Sequence, residues 1–372
     1  MSKPHVLAFY LPQFHPVKEN NEWFGEGFTE WTNVAKAKSL FKGHVQPRVP
    51  ADLGFYDLRI PEVREHQASL AKEAGISAFC YYHYWFGDGR MILEKPLEMV
   101  IKEKKPDFPF CIAWANHSWY KKAWNPDTKN IDQKLLLEQR YPQGQDTIDH
   151  FNYLLPAFKD ERYYKIDGRN VFVIYNSIAF PDFDQFKKTW NELAKLNGLP
   201  EFYFLSYTAD IKVAASDVFS DYDGCIVSLI TNVANKKVIN RLQIYKKIIK
   251  SKISELFHYP LMVYSYEKAM PYLLDEVERK DNVIPVLVPN WDYTPRRGAG
   301  DLILKDSTPE LFAKHVRQAL DLIKDKPQEK QILFIKSWNE WGEGNYMEPD
   351  IYTGKGYINA LRQELDNYSD KE

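Results

Sequence analysis

The sequence has few cysteines, almost no net charge and no long apolar segment. Its 372 residues include three cysteines, Cys80, Cys111 and Cys225, which lie inside apolar segments and lack the spacing of paired metal ligands. A small, odd number of such thiols is typical of a reducing compartment. The 49 basic and 51 acidic residues leave a net charge of −2, which argues against nucleic acid or an anionic membrane as the main partner.

Segments that would direct the chain to a membrane are also lacking. The first apolar run, residues 6–11, is too short for the core of a signal peptide, and no run approaches the roughly 20 residues of a transmembrane helix. We therefore expect a cytoplasmic protein with no integral membrane segment, at most working at the inner membrane face. The basic residues 236–252 favour a solvated helix face, with a membrane- or polymer-binding surface as the alternative.

Motifs of several enzyme classes are absent as well. There is no glycine-rich dinucleotide loop after the first apolar run, no P-loop, no Gly-x-Ser-x-Gly elbow and no His-Glu-x-x-His. We therefore expect no cofactor and no metal. The alternative is a metal site formed by His15, His83 and His117, each of which follows a different predicted strand.

What the sequence does contain is an alternation of apolar runs with amphipathic segments. Hydrophobic residues make up 44 %, which is typical of a globular chain. Eight such alternations predict an α/β fold, a single (β/α)8 barrel of the TIM type over residues 1–372 with long loops after the strands. A doubly wound open sheet is the alternative. The predicted strands are residues 6–10, 76–80, 109–113, 171–176, 202–207, 224–229, 283–288 and 331–336.

Helices are predicted between these strands. Pro61 and Gly75 are typical of the start and the end of a helix, so residues 61–74 are the clearest case. Residues 17–60 are predicted to be a long functional loop, and residues 120–145 to be irregular. The other predicted helices are residues 90–104, 147–158, 183–196, 232–260, 265–278, 308–323 and 357–367.

Aromatic and amide side chains collect where the predicted strands end. In a barrel these ends meet at one face, where active sites form. Aromatic rings stack on the C–H faces of sugars, and amides bind sugar hydroxyls, so we expect a carbohydrate site. The candidate ligands are Tyr10, Gln13, His83, Tyr84, Trp114, Asn116, Tyr175, Asn290, Trp291, Trp338 and Asn339.

The last strand leads into Ser337-Trp338-Asn339-Glu340-Trp341-Gly342-Glu343-Gly344. Its two carboxylates are three residues apart. In a turn they would come onto one side of the chain, and the two glycines make such a turn easy. Two carboxyl groups surrounded by tryptophan suit acid/base chemistry on a sugar. The alternative is that both simply complement the dipole of a helix N-terminus.

Four segments together make the sequence resemble the WbsX-like family, which belongs with the glycoside hydrolase family 99-like domains. The resemblance covers nearly the whole chain and implies a (β/α)8 barrel. The segments are Ala8-Phe9-Tyr10-Leu11-Pro12-Gln13-Phe14-His15-Pro16, Gly27-Phe28-Thr29-Glu30-Trp31-Thr32-Asn33-Val34, Tyr81-Tyr82-His83-Tyr84-Trp85-Phe86, and the segment 337–344.

The resemblance also implies roles for the two carboxylates. A motif similar to residues 339–343 carries both catalytic groups in the family 99 endo-α-mannosidases. Carried over, Glu340 is the base that removes the proton of the sugar 2-hydroxyl, and Glu343 is the general acid for the leaving oxygen. The 2-oxygen then attacks the anomeric carbon to give a 1,2-anhydro-sugar intermediate, Glu343 acts as the base for the incoming acceptor, and configuration is retained overall. This chain departs from the pattern at Gly342, where those mannosidases usually have histidine, and at His117, where the WbsX-like pattern has an acid.

Three functions remain open at this stage. The leading hypothesis is a retaining endo-glycosidase or transglycosylase that acts on a bacterial surface polysaccharide or its precursor, free or lipid-linked. The first alternative is a nucleotide-sugar-dependent glycosyltransferase of O-antigen or capsule biosynthesis, for which Asp182-Phe183-Asp184 and Asp221-Tyr222-Asp223 have the Asp-x-Asp form. The second is a non-catalytic carbohydrate-binding protein.

Overall fold

A computed structural model describes residues 3–125, 130–235, 262–298 and 301–370. The basic residues 236–252, and with them most of the predicted helix 232–260, lie outside the described residues. In the described ranges, no helix combines the length and the apolar character needed to cross a membrane.

Eight parallel strands form a closed barrel, which confirms the predicted fold. Each strand pairs with its sequence neighbours in the barrel, and β3 closes the ring by pairing with β7. The first and last strands are also neighbours, with Val6 opposite Leu333 and Ala8 opposite Ile335. The barrel strands are β1 (His5–Tyr10), β2 (Ala78–His83), β3 (Phe110–Trp114), β7 (Arg169–Ile174), β8 (Phe202–Thr208), β9 (Gly224–Val227), β11 (Val283–Leu287) and β14 (Ile332–Ile335).

The barrel strands are buried almost throughout, because their inner faces fill the barrel and their outer faces carry the helices. In the outer ring and the loops, the helices are α1 (Lys18–Phe24), α2 (Glu30–Ala35), α3 (Pro61–Ala74), α4 (Lys95–Glu103), α5 (Gln145–Phe158), α6 (Phe183–Leu196), α7 (Ile211–Ala215), α8 (Ile230–Asn235), α9 (Tyr266–Ala269), α10 (Thr294–Arg297), α11 (Pro309–Ile323) and α12 (Gly356–Ser369).

Shorter strands lie outside the barrel. They form an antiparallel hairpin of β4 (Trp119–Asn125) and β5 (Asn130–Leu137), and a small sheet of β10 (Met262–Ser265), β13 (Leu302–Lys305) and β12 (Trp291–Asp292). A two-residue pair joins β15 (Asn339–Glu340) to β16 (Asn345–Tyr346), and β6 (Lys165–Ile166) pairs with β7.

Several predicted boundaries are wrong. Residues 120–145 are not irregular, since β4 and β5 form a hairpin there, and the loop 17–60 contains α1 and α2. The predicted helix 90–104 begins only at Lys95, ahead of Pro96. The predicted helix 265–278 is broken into α9 and two 3-10 turns, Met270–Tyr272 and Glu276–Arg279, because Pro271 cannot continue a helix. The sixth barrel strand ends at Val227, not at residue 229.

Candidate active site

A cleft of about 910 Å³ opens at the carboxyl ends of the barrel strands. This volume lies within the range of about 300–1,000 Å³ that ligand sites occupy. A larger groove, about 1220 Å³, lies on the outer wall near α11 and α12. We take the cleft as the candidate active site, because barrel enzymes act at the carboxyl ends of their strands.

The cleft floor is formed by the chain that follows β14. Asn339 and Glu340 pair with β16, and a 3-10 turn, Trp341–Glu343, connects the two short strands. Gly344 ends the turn with φ 55°, and a Cβ atom there would lie 2.7–2.8 Å from atoms of Asp292. Only glycine satisfies both conditions. This tight turn places the carboxyl groups of Glu340 and Glu343 in the same cleft.

Two buried anchors fix this turn, Trp341–Glu343, which we call the carboxylate turn. The side-chain amide of Asn339 accepts a bond from the N–H of Leu11 (2.7 Å) and donates one to the carbonyl of Leu11 (3.0 Å). The indole N–H of Trp341 donates to the carboxyl of Glu348 (2.6 Å), and the ring stacks on Tyr346. The first and last barrel strands are thereby joined directly at the site.

Glu348 is itself fully buried beneath the turn. Besides Trp341, the hydroxyl of Tyr56 (2.9 Å) and the amide of Gln67 (2.6 Å) donate to its carboxyl group. Burial raises its pKa to about 7, against the opposing effect of these hydrogen bonds. No sequence motif had suggested a role for this residue.

Glu340 is the more weakly solvated of the two carboxylates in the cleft. Its pKa rises to about 8, first because burial disfavours the charge and second because of the negative charge of Glu343; the nearby Lys336 acts in the opposite direction. The Lys336 Nζ atom lies 4.0 Å from Glu340 Oε2, and that oxygen accepts no hydrogen bond in the described part of the chain. Glu340 therefore holds a proton at neutral pH.

Glu343 has the opposite electrostatic surroundings. Burial alone would raise its pKa, but the positive charges of Arg296 and Lys336 outweigh burial and lower it. The guanidinium of Arg296 donates from Nη1 to Glu343, and from Nε (2.9 Å) and Nη2 (3.0 Å) to the two carboxyl oxygens of Glu30. Glu340 and Glu343 thus hold one proton between them at neutral pH.

Gly342 allows Glu30 to reach this position. A Cβ atom at residue 342 would lie 1.9 Å from Glu30 Oε1 and 3.0 Å from Arg296 Nε. The Glu30 carboxylate therefore occupies the space that a side chain at position 342 would need. This contact joins α2 to the carboxylate turn and explains the glycine at this position.

Aromatic rings form much of the cleft wall. Trp119 packs edge-on against Tyr84, with ring centroids 5.3 Å apart. Tyr175 stacks on Tyr207 at 4.1 Å. Rings of this kind offer flat apolar faces beside polar groups, which is the combination that sugar rings require. The aromatic residues lining the cleft are Trp23, Phe24, Phe28, Tyr82, Tyr84, Trp119, Tyr120, Tyr175 and Tyr293.

The structure brings part of the predicted site together. Five predicted residues line the cleft, namely Gln13, Tyr84, Tyr175, Glu340 and Glu343. The other eight are buried elsewhere: Tyr10, His83, Trp114, Asn116, Asn290, Trp291, Trp338 and Asn339.

The buried residues near β1–β3 make contacts inside the protein. The hydroxyl of Tyr10 donates to Gln67, and the indole N–H of Trp114 donates to the carbonyl of Trp85. His83 and His150 face each other, with their Nε2 atoms 3.0 Å apart. Asn116 donates to the carbonyl of Asn176 and accepts from its N–H.

The buried residues near β11 and β14 also make contacts inside the protein. Asn290 accepts a bond from the N–H of Tyr346, and Trp291 forms part of β12. Trp338 packs against Phe79 with ring centroids 5.4 Å apart. Through these contacts, and through the contact of Asn339 with Leu11, the residues support the cleft from the interior of the protein.

The prediction did not include several charged groups of the cleft. Glu30, Lys36, His117, Arg296, Arg297 and Lys336 all line it. Glu30 lies in a segment that combines aromatic and polar residues, and His117 follows β3, so both had a weak signal. No sequence signal pointed to Arg296 or Lys336. Arg296 follows a strand of only two residues, and Lys336 looks like the end of an apolar run.

The three histidines considered as metal ligands have different surroundings. His15 bonds to the carbonyl of Pro12, His83 contacts His150, and His117 lines the cleft. Among the described residues, no group of three or more His, Cys, Asp or Glu side chains is arranged to hold a metal ion.

Comparison with known proteins gives the family and the fold. The family model described as glycosyltransferase WbsX matches residues 6–361. Two proteins named uncharacterized protein WxcX, from Xanthomonas campestris pv. campestris strains B100 and ATCC 33913, are 31 % identical over 361 residues, which is 97 % of this chain and 49 % of each relative. The chain thus spans about half the length of these curated relatives.

Solved structures with the same fold are more distant in sequence. The GH99 endo-α-mannosidase from Bacteroides thetaiotaomicron aligns with a TM-score of 0.60 at 15 % identity, over 98 % of this chain and 97 % of that one. A glycoside hydrolase-like protein aligns with the same score and identity, over 98 % and 94 %. These alignments agree with the (β/α)8 barrel, and the match of residues 6–361 shows that this chain belongs to the glycosyltransferase WbsX family.

Proposed function

We propose that this protein is a retaining glycoside-active enzyme, an endo-glycosidase or transglycosylase that acts on a bacterial surface polysaccharide or its precursor. One observation carries the proposal. Two carboxyl groups lie in one tight turn beside an aromatic cleft, and their surroundings shift their pKa values in opposite directions. Such a pair supplies one acid and one base at the same pH.

The reaction we propose has two steps. In the first, one carboxylate removes the proton of the sugar 2-hydroxyl, O2 attacks C1, and the bond from C1 to the leaving oxygen breaks as the other carboxyl protonates that oxygen. In the second, water or a sugar hydroxyl attacks C1 and the C1–O2 bond opens. O2 regains its proton from the first carboxyl, and the second takes the proton of the attacking hydroxyl. Two inversions at C1 give net retention.

Which carboxyl acts as the acid and which as the base depends on where the shared proton lies when the substrate is bound. The family resemblance assigns Glu340 as the base and Glu343 as the acid. The electrostatics of the cleft favour the reverse, with the proton on Glu340 and the negative charge of Glu343 beside Arg296. The resemblance-based roles therefore require the proton to move to Glu343 as the substrate binds.

The family description and the named mannosidase support a carbohydrate substrate. The family is described as glycosyltransferase WbsX, and the solved structure is that of an endo-α-mannosidase. A nucleotide-sugar-dependent transferase is the second candidate, favoured by the family description. Neither Asp-x-Asp triplet supports it, because Asp182 caps α6 outside the cleft, and Asp223 pairs with Arg169 before β9, at the opposite end of the barrel.

Incubation of the protein with candidate surface polysaccharides, followed by NMR of the first-formed anomer, tests the proposal. We expect cleavage or transfer with retention. Glu340→Ala and Glu343→Ala should each lower kcat on the polysaccharide by at least about 100-fold, the usual contribution of an acid or base. Unchanged turnover in either variant would contradict its role.

An aryl glycoside with a good leaving group then assigns the roles. Such a leaving group departs without protonation, so the variant that lacks the acid should regain most of its activity on the aryl glycoside. The variant that lacks the base should stay slow on both substrates. Tight Mg²⁺- or Mn²⁺-dependent binding of a nucleotide sugar, without cleavage of any polysaccharide, would instead favour the transferase.

A further inference from the structure

Lys336 places a buried ammonium group at the floor of the cleft. It is the first residue after β14 and is 5 % exposed. Its Nζ atom donates to the hydroxyl of Tyr175 (3.2 Å) and lies 5.7 Å and 5.9 Å from the ring centroids of Tyr175 and Tyr207. Burial of a charged amine costs several kcal/mol unless a partner compensates it.

The structure provides this charge with no matching carboxylate. Among the described residues, the one carboxyl oxygen within 4.0 Å is Glu340 Oε2, at the limit of an ion pair and beyond hydrogen-bond length. Glu343 and Glu30 are both bound to Arg296. An ammonium has three N–H donors, and Tyr175 accepts one of them. The remaining donors of Lys336 are available to a ligand in the cleft.

The surroundings of Lys336 also favour a negative ligand. His117 lines the same part of the cleft, with its ring centroid 6.2 Å from that of Tyr175; burial and the charge of Lys336 lower its pKa, so it offers a ring N–H and no positive charge. Lys36 is exposed on the lining and has no ion pair in the described ranges, whereas the lining residue Arg297 is paired with Asp301. Among the described lining residues, the positive charges without a carboxylate at hydrogen-bond distance are therefore those of Lys336 and Lys36.

We propose that the sugar bound against Tyr175 is a hexuronic acid, whose carboxylate accepts hydrogen bonds from Lys336. The inference rests on the proposed function for the idea that a sugar enters the cleft, and it adds the chemical class of that sugar. Lys336 acts as the residue that selects an acidic sugar over a neutral one. The carboxylate completes the ion pair that the protein leaves unfilled.

Binding of matched glycosides tests this inference without any turnover. The probes are the methyl α-glycosides of mannose, glucose and galactose, together with the methyl α-glycosides of the three corresponding uronic acids. Affinities are measured by saturation-transfer NMR titration at low salt. At least one uronide should bind about tenfold more tightly than its neutral partner, which corresponds to about 1.4 kcal/mol.

Two variants separate the role of Lys336 from general effects of losing a lysine. Lys336→Met should abolish the preference for the uronide and leave the affinity for the neutral glycoside within about twofold. Lys330→Met is the matched control, because Lys330 likewise donates to a tyrosine hydroxyl, that of Tyr203 (2.9 Å), but precedes β14 at the other end of the barrel. It should keep the preference. Circular dichroism melting of both variants verifies folding.

Several outcomes would overturn the inference. These are binding of no uronide, equal affinity for both members of every pair, or an equal loss for both members in a folded Lys336→Met. Cleavage of a neutral polysaccharide equally well by wild type and Lys336→Met would refute the acidic sugar and leave the proposed function intact. A uronide preference without turnover of any uronic-acid polysaccharide would refute the proposed function and leave the inference intact.

Discussion

Glu340 and Glu343 share one proton, so we expect this pair to set the pH dependence of the proposed reaction. We predict a bell-shaped pH profile of kcat/KM, with the alkaline limb near pH 8, where the pair loses its proton, and the acid limb below the ordinary pKa of glutamate. The shape is the same for either division of labour, because both reactive forms carry one proton. Activity that continues to rise above pH 9 would contradict the shared proton.

The acid limb has its own structural cause. Because Arg296 lowers the pKa of Glu343, Arg296→Met should move this limb toward neutral pH by about one unit or more. The alkaline limb should move less, since the effect of Arg296 on Glu340 ranks below those of burial, Glu343 and Lys336. Equal movement of both limbs in the profile would contradict the specific role of Arg296.

Asn339 shows how a correct motif can mislead about a single residue. We expected its amide to bind a sugar hydroxyl, but both ends of that amide bond to the backbone of Leu11. Asn339→Ala should lower the free energy of unfolding by about 2–4 kcal/mol, because two buried backbone groups lose their partners. Urea denaturation measures the loss, and KM should stay unchanged at a temperature where the variant is folded. A raised KM with unchanged stability would restore the original interpretation.

Among the elements, the carboxylate turn and α2 depend on each other through Gly342 and Glu30. Gly342→Ala should destabilise the protein by about 1–3 kcal/mol, because the added methyl group overlaps the Glu30 carboxylate. In a Glu30→Ala background the same change should cost nearly nothing. A double-mutant cycle of unfolding free energies measures this coupling. Simple additivity of the two changes would contradict the contact.

Elements with a strong pattern were predicted well, and those without one were not. The buried barrel strands appear as continuous apolar runs, and α3 matches its predicted bounds, residues 61–74, because Pro61 and Gly75 mark its ends. The hairpin strand Trp119–Asn125 carries lysines among its aromatic residues, so no single period stood out. Pro271 gave a signal against the helix 265–278 that should have counted for more.

The site was predictable to the extent that strand order determines it. Glu340, Glu343, Tyr84 and Tyr175 follow strands whose ends must meet in a barrel. Which side chain at a strand end points into the cleft depends on packing, and most of the aromatic and amide candidates there turned out to be buried. Arg296 belongs to a loop whose path no local pattern defines, so its bonds to Glu30 and Glu343 required the structure.

For the whole molecule, buried titratable groups predict maximal stability near pH 6.5. Burial lowers the pKa of His15 and His315 to about 4 and that of His83 to about 3, and also that of His150. The unfolded chain therefore binds more protons between about pH 4 and 6.5, and stability rises with pH there. Burial raises the pKa of Glu278 and Glu340 to about 8 and of Glu348 to about 7, so these groups bind more protons in the folded chain from about pH 4.5 to 8 and partly oppose the histidines below pH 6.5. Above pH 6.5 they act without that opposition, and stability falls.

Urea denaturation at pH 5, 6.5 and 8.5 tests this maximum. The free energy of unfolding should be highest at pH 6.5 and lower on either side by on the order of a few kcal/mol. Glu278→Gln is the control, because glutamine keeps an oxygen to accept the bond from the Asp275 N–H and removes the titration. It should reduce the decline on the alkaline side and steepen the rise on the acid side, because Glu278 opposes the histidines between about pH 4.5 and 6.5. A midpoint that rises steadily from pH 5 to 8.5 would contradict the prediction.

The contact between Glu30 and residue 342 also has a consequence for how this family can diverge. Residues 30 and 342 are more than three hundred positions apart in the sequence, but a side chain at 342 would overlap the carboxylate of Glu30. Neither residue can therefore be substituted freely without a change in the other. Across an alignment of relatives, a side chain at position 342 should occur together with loss of the acid at position 30, and a glycine with its retention. Relatives that carry histidine at 342 would then form a separate branch, with a different arrangement of charge around the second carboxylate and a different preferred sugar.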